Sequence, residues 1–357
     1  MASPLTTPPG GSAAPAGEED DEQDKQQSLF VKENAKVPWS DDVWKTIHKT
    51  VHDETMRVRV GARFLPHVRV HPKTTSVQQD MVVDLPLPGE TQSTLTVDEG
   101  TTIRLNEIWT EFALTTQQVH ETAEAKEPEH TTAVTLARRA AQYLALGQDI
   151  VIFQGYNGYN APFFTQNLRY RQPYQPLDGG LLSLTGGPYA SPNTTIQVDP
   201  LDSPPAVGVT WGENLFTGVT QAIATFAAQG QPGPYAFAAN TAVFADAYAA
   251  VGLGSLVITA DRVLPLVTAG FYGTATIPPD PSSPASPPSP PSSPPGPPYY
   301  GVMVSLGGRT MELVVGLHAT TVYMQQDLNQ LWRFRVLERF ALRVIDPTAI
   351  QVLEFNG

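Results

Sequence analysis

Residues 332–344 read WRFRVLERFALRV. Trp332, Phe334, Val336, Phe340, Leu342 and Val344 share one parity, and Arg333, Arg335, Arg339 and Arg343 share the other. A period of two is that of a β-strand, so the arginines line one face of one long strand. Glu338 falls on the apolar parity. A carboxylate there needs a partner or local exposure. The expectation is an ion pair with a neighbouring strand or subunit, and Arg333, Arg335, Glu338, Arg339 and Arg343 are the candidate subunit contacts.

Working outward, Met311–Leu317 and Thr320–Met324 read as further strands, and TTIRLNEIWTEFAL (101–114) alternates as another. Residues 131–154 place Val134, Ala137, Ala141, Leu144 and Val151 at helical spacing behind Thr131 or Thr132 as a cap. At 1.5 Å per residue this is a rod of about 36 Å. Ser40, Asp41 and Asp42 open an amphipathic helix over about 41–58. It carries His48 and His52 four apart beside Asp53, a spacing that can hold a metal. There is no third ligand and no HExxH, so the expectation is a solvated helix face. Thr210 and Glu213 have the spacing of a capping box, with a helix to about 229. Strand 235–239, helix 241–251 and short strands at 256–258 and 270–277 follow.

The 357-residue chain has no cysteine, which excludes a disulfide scaffold, a zinc finger and a thiol nucleophile. Its net charge of −13 is a poor match for nucleic-acid phosphates. No apolar run approaches the ~20 residues needed to span a bilayer. No basic segment followed by an apolar stretch opens the chain, so it is read as soluble and cytoplasmic. Of 34 prolines, twelve fall between Pro278 and Pro298. That tract is expected to be a stiff polyproline loop, with its PxxP spacing a weaker sign of a groove ligand. Residues 1–37 carry Glu18, Glu19, Asp20, Asp21, Glu22 and Asp24, and are expected to be disordered; a short apolar patch, Leu29-Phe30-Val31, sits inside this arm.

Enzyme motifs are missing: there is no GxSxG, no phosphate loop and no GxGxxG. No catalytic residue, cofactor or metal is assigned. The Gly-, Pro- and Tyr-rich stretch 155–209 is the one place where an undetected catalytic site is weighed.

Taken in order, these segments resemble the encapsulins, shell proteins of protein nanocompartments. The likeness runs through Trp44-Lys45-Thr46-Ile47 to Gly61-Ala62-Arg63-Phe64, RLNEIWTEFALT (104–115), DIVIFQGY (149–156), GPYAF (233–237), GGRTMELVVGLHATTVYM (307–324) and FRVLERFALRVIDPTAIQVL (334–353). It implies an α+β chain with the phage major capsid protein fold (Hong Kong 97-like). The expected divisions are an N-terminal helix over 38–66, an extended loop over 67–104, a peripheral domain over 105–205 and 311–357, and an axial domain over 206–310 with the proline insertion 278–298. It also implies self-assembly into sixty copies or a larger icosahedral multiple, with a cargo protein held by a targeting peptide and with neither nucleic acid nor membrane as partner. In the family that peptide lies against the N-terminal helix and peripheral domain, so Trp44, Ile47, Val51, Val58, Arg63 and Phe64 are the candidate groove residues. The resemblance further suggests that the acidic arm lies inside the shell, where its apolar patch competes for the groove, and that the proline tract projects outward. His318 stands where the family has an acid. The alternative is a viral or prophage major capsid protein enclosing DNA.

Overall fold

The computed structural model describes residues 28–86, 93–171, 179–182, 192–201, 210–249, 257–278 and 298–356. The expectations for the acidic run 18–24 and for residues 279–297 lie outside these residues.

A single 3-10 turn, Ser28–Phe30, leads into the short helix α1 (Val31–Asn34). This corrects the expectation of disorder through residue 37. Asn34 and Val37 are buried, so the segment has gained contacts that offset the entropy of ordering it. Helix α2 (Asp41–Val58) begins as expected, with Ser40 Oγ accepting from the Val43 backbone N–H at 3.4 Å. Helix α3 (Gly61–Phe64) is one turn. Strands β1 (His67–Arg69), β2 (Ser76–Gln78), β3 (Met81–Pro86), β4 (Ser93–Asp98), β5 (Thr102–Arg104) and β6 (Asn106–Leu114) follow. Helix α4 (Thr116–Glu124) has a capping box between Thr115 and Gln118. The rod is α5 (Thr132–Gln154), capped by Thr131. Helix α6 (Pro162–Asn167) and strands β7 (Arg169–Arg171) and β8 (Ile196–Val198) precede α7 (Gly212–Ala228), β9 (Tyr235–Asn240), α8 (Thr241–Tyr248) and α9 (Thr259–Val263). The chain ends with β10 (Gly270–Thr274), β11 (Tyr299–Ser305), β12 (Met311–Gln326), β13 (Trp332–Val344) and β14 (Ile350–Phe355).

Three local expectations give way. The Thr210/Glu213 capping box is not formed; Asp246 Oδ2 accepts the N–H groups of Trp211 and Gly212 at 2.9 and 3.0 Å. A carboxylate brought by tertiary packing does the work a local side chain was expected to do. Ile258 stands at the N-terminal boundary of α9 without a side-chain cap bond and lies in no strand. The two strands expected over 311–324 are one, bent at β-bulges between Val315 and Thr320.

Two five-stranded sheets organise the molecule. The first runs β1-β12-β13-β6-β7, with β1 parallel to β12 and the other pairs antiparallel. The second runs β10-β9-β11-β14-β8. Thus Ile196–Val198 and Ile350–Phe355 belong to the second sheet, although they fall in stretches assigned by sequence to the peripheral domain. Helices α2 and α5 pack on each other and on one face of the first sheet. Ala133, Ala137, Ala140, Ala141 and Ala145 keep that face of α5 thin enough for close packing. In the second sheet, Phe237, Met303, Leu353 and Phe355 face α7, α8 and α9, while Ala236, Ala238, Val302 and Val352 join the first core. Burial on both faces explains why these strands are nearly continuous apolar runs. Strands β3 and β4 form a two-stranded ribbon outside both sheets. On it Leu95 is 72% and Val97 45% exposed.

Candidate functional site

The sequence pointed to two places, the N-terminal helix and the arginine face of β13. The first is largely core. Ile47 and Val51 are fully buried, and Trp44 and Phe64 nearly so. Trp44 packs edge-on against Trp39 at 4.9 Å between centroids, and Phe64 stacks on Tyr272 at 5.7 Å. Val58 is half-buried and Arg63 exposed, and Arg63 donates to the Arg57 carbonyl. Of the six candidate groove residues, Trp44, Ile47, Val51 and Phe64 are therefore core side chains, and Val58 and Arg63 are the accessible ones. His48, expected on a solvated face, is buried beside Trp44 and pushed down to about 4 by burial, so it is a neutral core histidine. His52 is half-buried. Among the described residues no group of three or more acidic or histidine side chains could hold a metal.

The arginine face is real, and its charges are matched within the chain. Three rows cross the outward face of the first sheet. Leu317, Arg339, Glu107 and Arg171 are successive cross-strand neighbours; so are Thr320, Leu337, Trp109 and Arg169, and then Val322, Arg335 and Glu111. Arg339 Nε donates to Glu107 Oε2 at 3.1 Å and Nη1 to the Pro72 carbonyl at 2.9 Å. Arg335 Nη2 donates to Glu111 at 2.8 Å, with its guanidinium over the Trp109 ring. Arg333 pairs with Asp327 at 3.0 Å. Arg343 donates through Nε to Glu312 at 3.0 Å and through Nη1 to Asp80 at 3.2 Å. Exposed pairs of this kind contribute about 0–1 kcal/mol each; the Arg343–Glu312 pair is buried and matters more.

Leu317, Val322 and Leu337 make a small apolar patch in the middle of this face, and Phe30 and Trp109 pack against it. Beside it Asn34 Oδ1 accepts the Tyr323 backbone N–H at 3.0 Å. Over this half of β12 the flanking strand β1 is absent, since β1 pairs with Leu313–Val315 alone. The N-terminal segment thus covers both the patch and an open strand edge, where unpaired backbone groups are otherwise a liability. The apolar character of Leu29-Phe30-Val31 was the sequence signal for this; Asn34 gave none.

Glu338 lies on the opposite face, inside the protomer. It is 2% exposed. The expected role at a subunit contact fails here, because the residue points at the helices and not at a surface. Burial pushes its carboxyl up to about 8, with the Arg59 charge opposing and Asp149 adding to the rise. Among the described residues, Glu338 Oε1 has no hydrogen-bond partner. Asp149, at the far end of α5, accepts the N–H groups of Val60 at 2.7 Å and Gly61 at 2.8 Å. Burial still carries it up to about 7 against those two bonds and the charges of Arg59 and Arg63. His318, pushed down to about 3 by burial and by the cationic groups around it, is neutral. The centre is a buried polar cluster with one permanent cation, Arg59, and two carboxyls held in or near their neutral form.

No family model and no curated protein matches the chain. Among solved structures it is similar to the virus-like particle from Pyrococcus furiosus, at 14% identity and a TM-score of 0.54, over 87% of this chain and 98% of that one. The SrpI encapsulin of Synechococcus elongatus gives 12% identity and a TM-score of 0.48 over 84% and 88% of the two chains. The capsid of a native GTA particle gives 14% and 0.47 over 85% and 90%. Identities this low speak to fold, and the particle from Pyrococcus furiosus carries the comparison, being matched along nearly its whole length. The architecture implied by the sequence resemblance is the one the molecule has: an α+β chain of the phage major capsid protein fold, Hong Kong 97-like.

Proposed function

We propose that this protein is a shell subunit that assembles into a closed icosahedral compartment of the encapsulin kind and packages a cargo protein through a targeting peptide. The observation that carries the reading is the β3–β4 ribbon. Leu95 and Val97 are apolar and stand largely in water on a two-stranded ribbon with no core of its own. An isolated ribbon is marginal in water, and neighbouring subunits would bury those side chains. On a fold shared with a virus-like particle, that is the arrangement a self-assembling chain needs. The acidic charge favours protein over nucleic acid as content, and no helix among the described residues is long and apolar enough to cross a membrane. The shell is read as cytoplasmic and without catalytic activity of its own. Cargo contacts on the N-terminal helix fall to its accessible end, at Val58 and Arg63.

Electron microscopy of the purified protein, with mass spectrometry of what accompanies it, tests this. Closed particles holding a second protein are expected. Monomers would overturn the assembly; particles holding DNA would replace the cargo reading with a viral or prophage capsid.

A further inference from the structure

Four arginines gather around the place where the end of α2 meets α5. Glu54 on α2 is 8% exposed. It accepts from Arg57 Nε at 3.0 Å and from Gln142 Nε2 of α5 at 2.6 Å. Gln142 in turn accepts from Arg139 Nη1 at 2.8 Å. One buried carboxylate thus positions guanidinium groups from both helices, the second through a shared amide. Their outer sides stay in water: the Arg57 side chain is 66% exposed, and Arg139 is exposed. Arg63 donates to the Arg57 carbonyl from the next turn of chain. The Arg57 hydrogen bond, with the Arg138 charge adding to it, holds the Glu54 carboxyl below its ordinary range, so Arg138 belongs to the same cluster.

The local charge is opposite to that of the chain. Arg57 is matched by Glu54, and Asp53 is the other carboxylate on this end of α2. The one acid of α5, Asp149, is buried at its far end. Arg139 is held by neutral partners alone, Gln142 and the Tyr143 ring at 4.6 Å. Arg138 is exposed, and among the described residues no carboxylate pairs with it directly. Even with Asp53 counted, four guanidinium groups stand against two carboxylates. A short peptide senses charges within a Debye length, ~8 Å at physiological salt, so this face attracts acids although the whole chain carries −13. A long nucleic acid meets the field of the whole chain instead. Guanidinium forks suit carboxylate oxygens. Met56, 40% exposed, and the half-buried Val58 add apolar footing on the same stretch of α2.

We propose that the face built by Arg57, Arg63, Arg138 and Arg139 is a docking surface for an acidic segment of the cargo protein, whose carboxylates take the outer sides of the guanidinium groups. This rests on the cargo reading and names the chemistry of the segment that reading requires.

Co-expression of the full-length protein with a fluorescent reporter carrying an oligoglutamate tail, and with the same reporter carrying an oligoglutamine tail, tests it. Particles should retain the glutamate tail about tenfold better. Arg138→Gln combined with Arg139→Gln leaves the Arg57–Glu54 pair in place and should cut that retention about tenfold, with particle yield and unfolding midpoint unchanged. Equal retention of both tails by the parent, or undiminished retention by the double variant, would overturn the surface while leaving the shell intact. Nucleic acid in parent particles that the double variant loses would assign the arginines to phosphate and overturn it too. Absence of particles would count against the shell reading alone. Fluorescence anisotropy of a labelled oligoglutamate peptide on the dispersed protein then decides the surface: binding weakened about tenfold in the double variant supports it, and equal binding overturns it.

Discussion

Asp149 Oδ1 accepts the backbone N–H of Gly61 at 2.8 Å, tying the far end of α5 to the start of α3 across 88 residues of sequence. Its other oxygen takes the N–H of Val60 at 2.7 Å. Both donors belong to the turn that carries the chain from α2 toward the first sheet, so one side chain fixes the angle between helix and sheet. Asp149→Ala leaves two buried donors without a partner, at about 1–3 kcal/mol each. Denaturant unfolding should show a loss of about 2–4 kcal/mol. Asp149→Asn keeps one acceptor oxygen and should lose clearly less. An alanine variant as stable as the parent would show that the turn finds other partners.

Gly61 makes the same junction a packing constraint. A Cβ placed there would lie 3.0 Å from Ile152 Cδ1 and 3.3 Å from Asp149 Oδ1. Gly61→Ala should destabilise by about 1–3 kcal/mol through overpacking, even though alanine is the better helix former. Pairing it with Ile152→Val, which frees a methyl group next to the new one, should recover part of the loss. Independent, additive costs in the double variant would argue against the contact as the cause.

The polar centre makes stability depend on pH in a definite direction. Glu338 is carried up to about 8 and Asp149 up to about 7 by burial. The folded state therefore holds protons that the unfolded chain has released. The contribution of these two carboxyls is greatest below the ordinary carboxyl range and falls as pH rises, by up to about 1.4 kcal/mol per unit for each group within its window; His48 and His318, held neutral by burial, act in the opposite sense below about pH 6.5, so the fall shows above it. The Asp149 window closes near pH 7 and that of Glu338 near pH 8. Glu338→Gln should remove the upper part of the slope and stabilise the protein above about pH 8, where the parent holds a buried charge. Unfolding midpoints measured from about pH 6.5 to about pH 9 decide it. A parent that gains stability across that range would contradict the assignment.

Among the described residues, Arg343 and Glu312 form the one ion pair on β13 in which both partners are buried. Breaking such a pair strands a charge, at about 3–5 kcal/mol. Arg309 also donates to Glu312 from the exposed side, so Arg343→Met should fall at the lower end of that range. Replacing both, as Arg343→Met with Glu312→Leu, should restore most of the stability, because no unpaired charge remains. A double variant worse than the single one would mean that Asp80, the second partner of Arg343, holds more of the energy than Glu312.

The parts legible in the sequence are those set by local period. Ser40 and its acids placed the start of α2, Thr131 that of α5, and the alternation at 332–344 gave β13 its two faces. The order of these segments carried the fold. What the sequence hid depends on partners far along the chain. The Thr210/Glu213 capping box lost to Asp246, which reaches α7 from α8. The sequence of Glu338 alone suggests a charge paired with a neighbouring strand or subunit, because nothing local shows that Arg59 and Asp149 lie near it. Trp44, Ile47, Val51 and Phe64 have the composition of a groove and of a core alike; their burial, Trp44 against Trp39 and Phe334 and Phe64 against Tyr272, comes from partners far along the chain.

Asn34 shows how little sequence such a contact needs. Its Oδ1 takes the Tyr323 N–H at the side of β12 that β1 does not reach. In an antiparallel strand alternate amides point to opposite edges, so Tyr323 reports on the arm and Val322 on β13. Asn34→Ala should remove one hydrogen bond, about 1 kcal/mol, and raise hydrogen exchange at Tyr323 several-fold while Val322 stays protected. Phe30→Ala should do the same from a distance, since it loosens the segment's hold on Leu317, Val322 and Leu337 without touching the amide. Unchanged exchange at Tyr323 in both variants would mean that the N-terminal segment is not what covers this edge in solution.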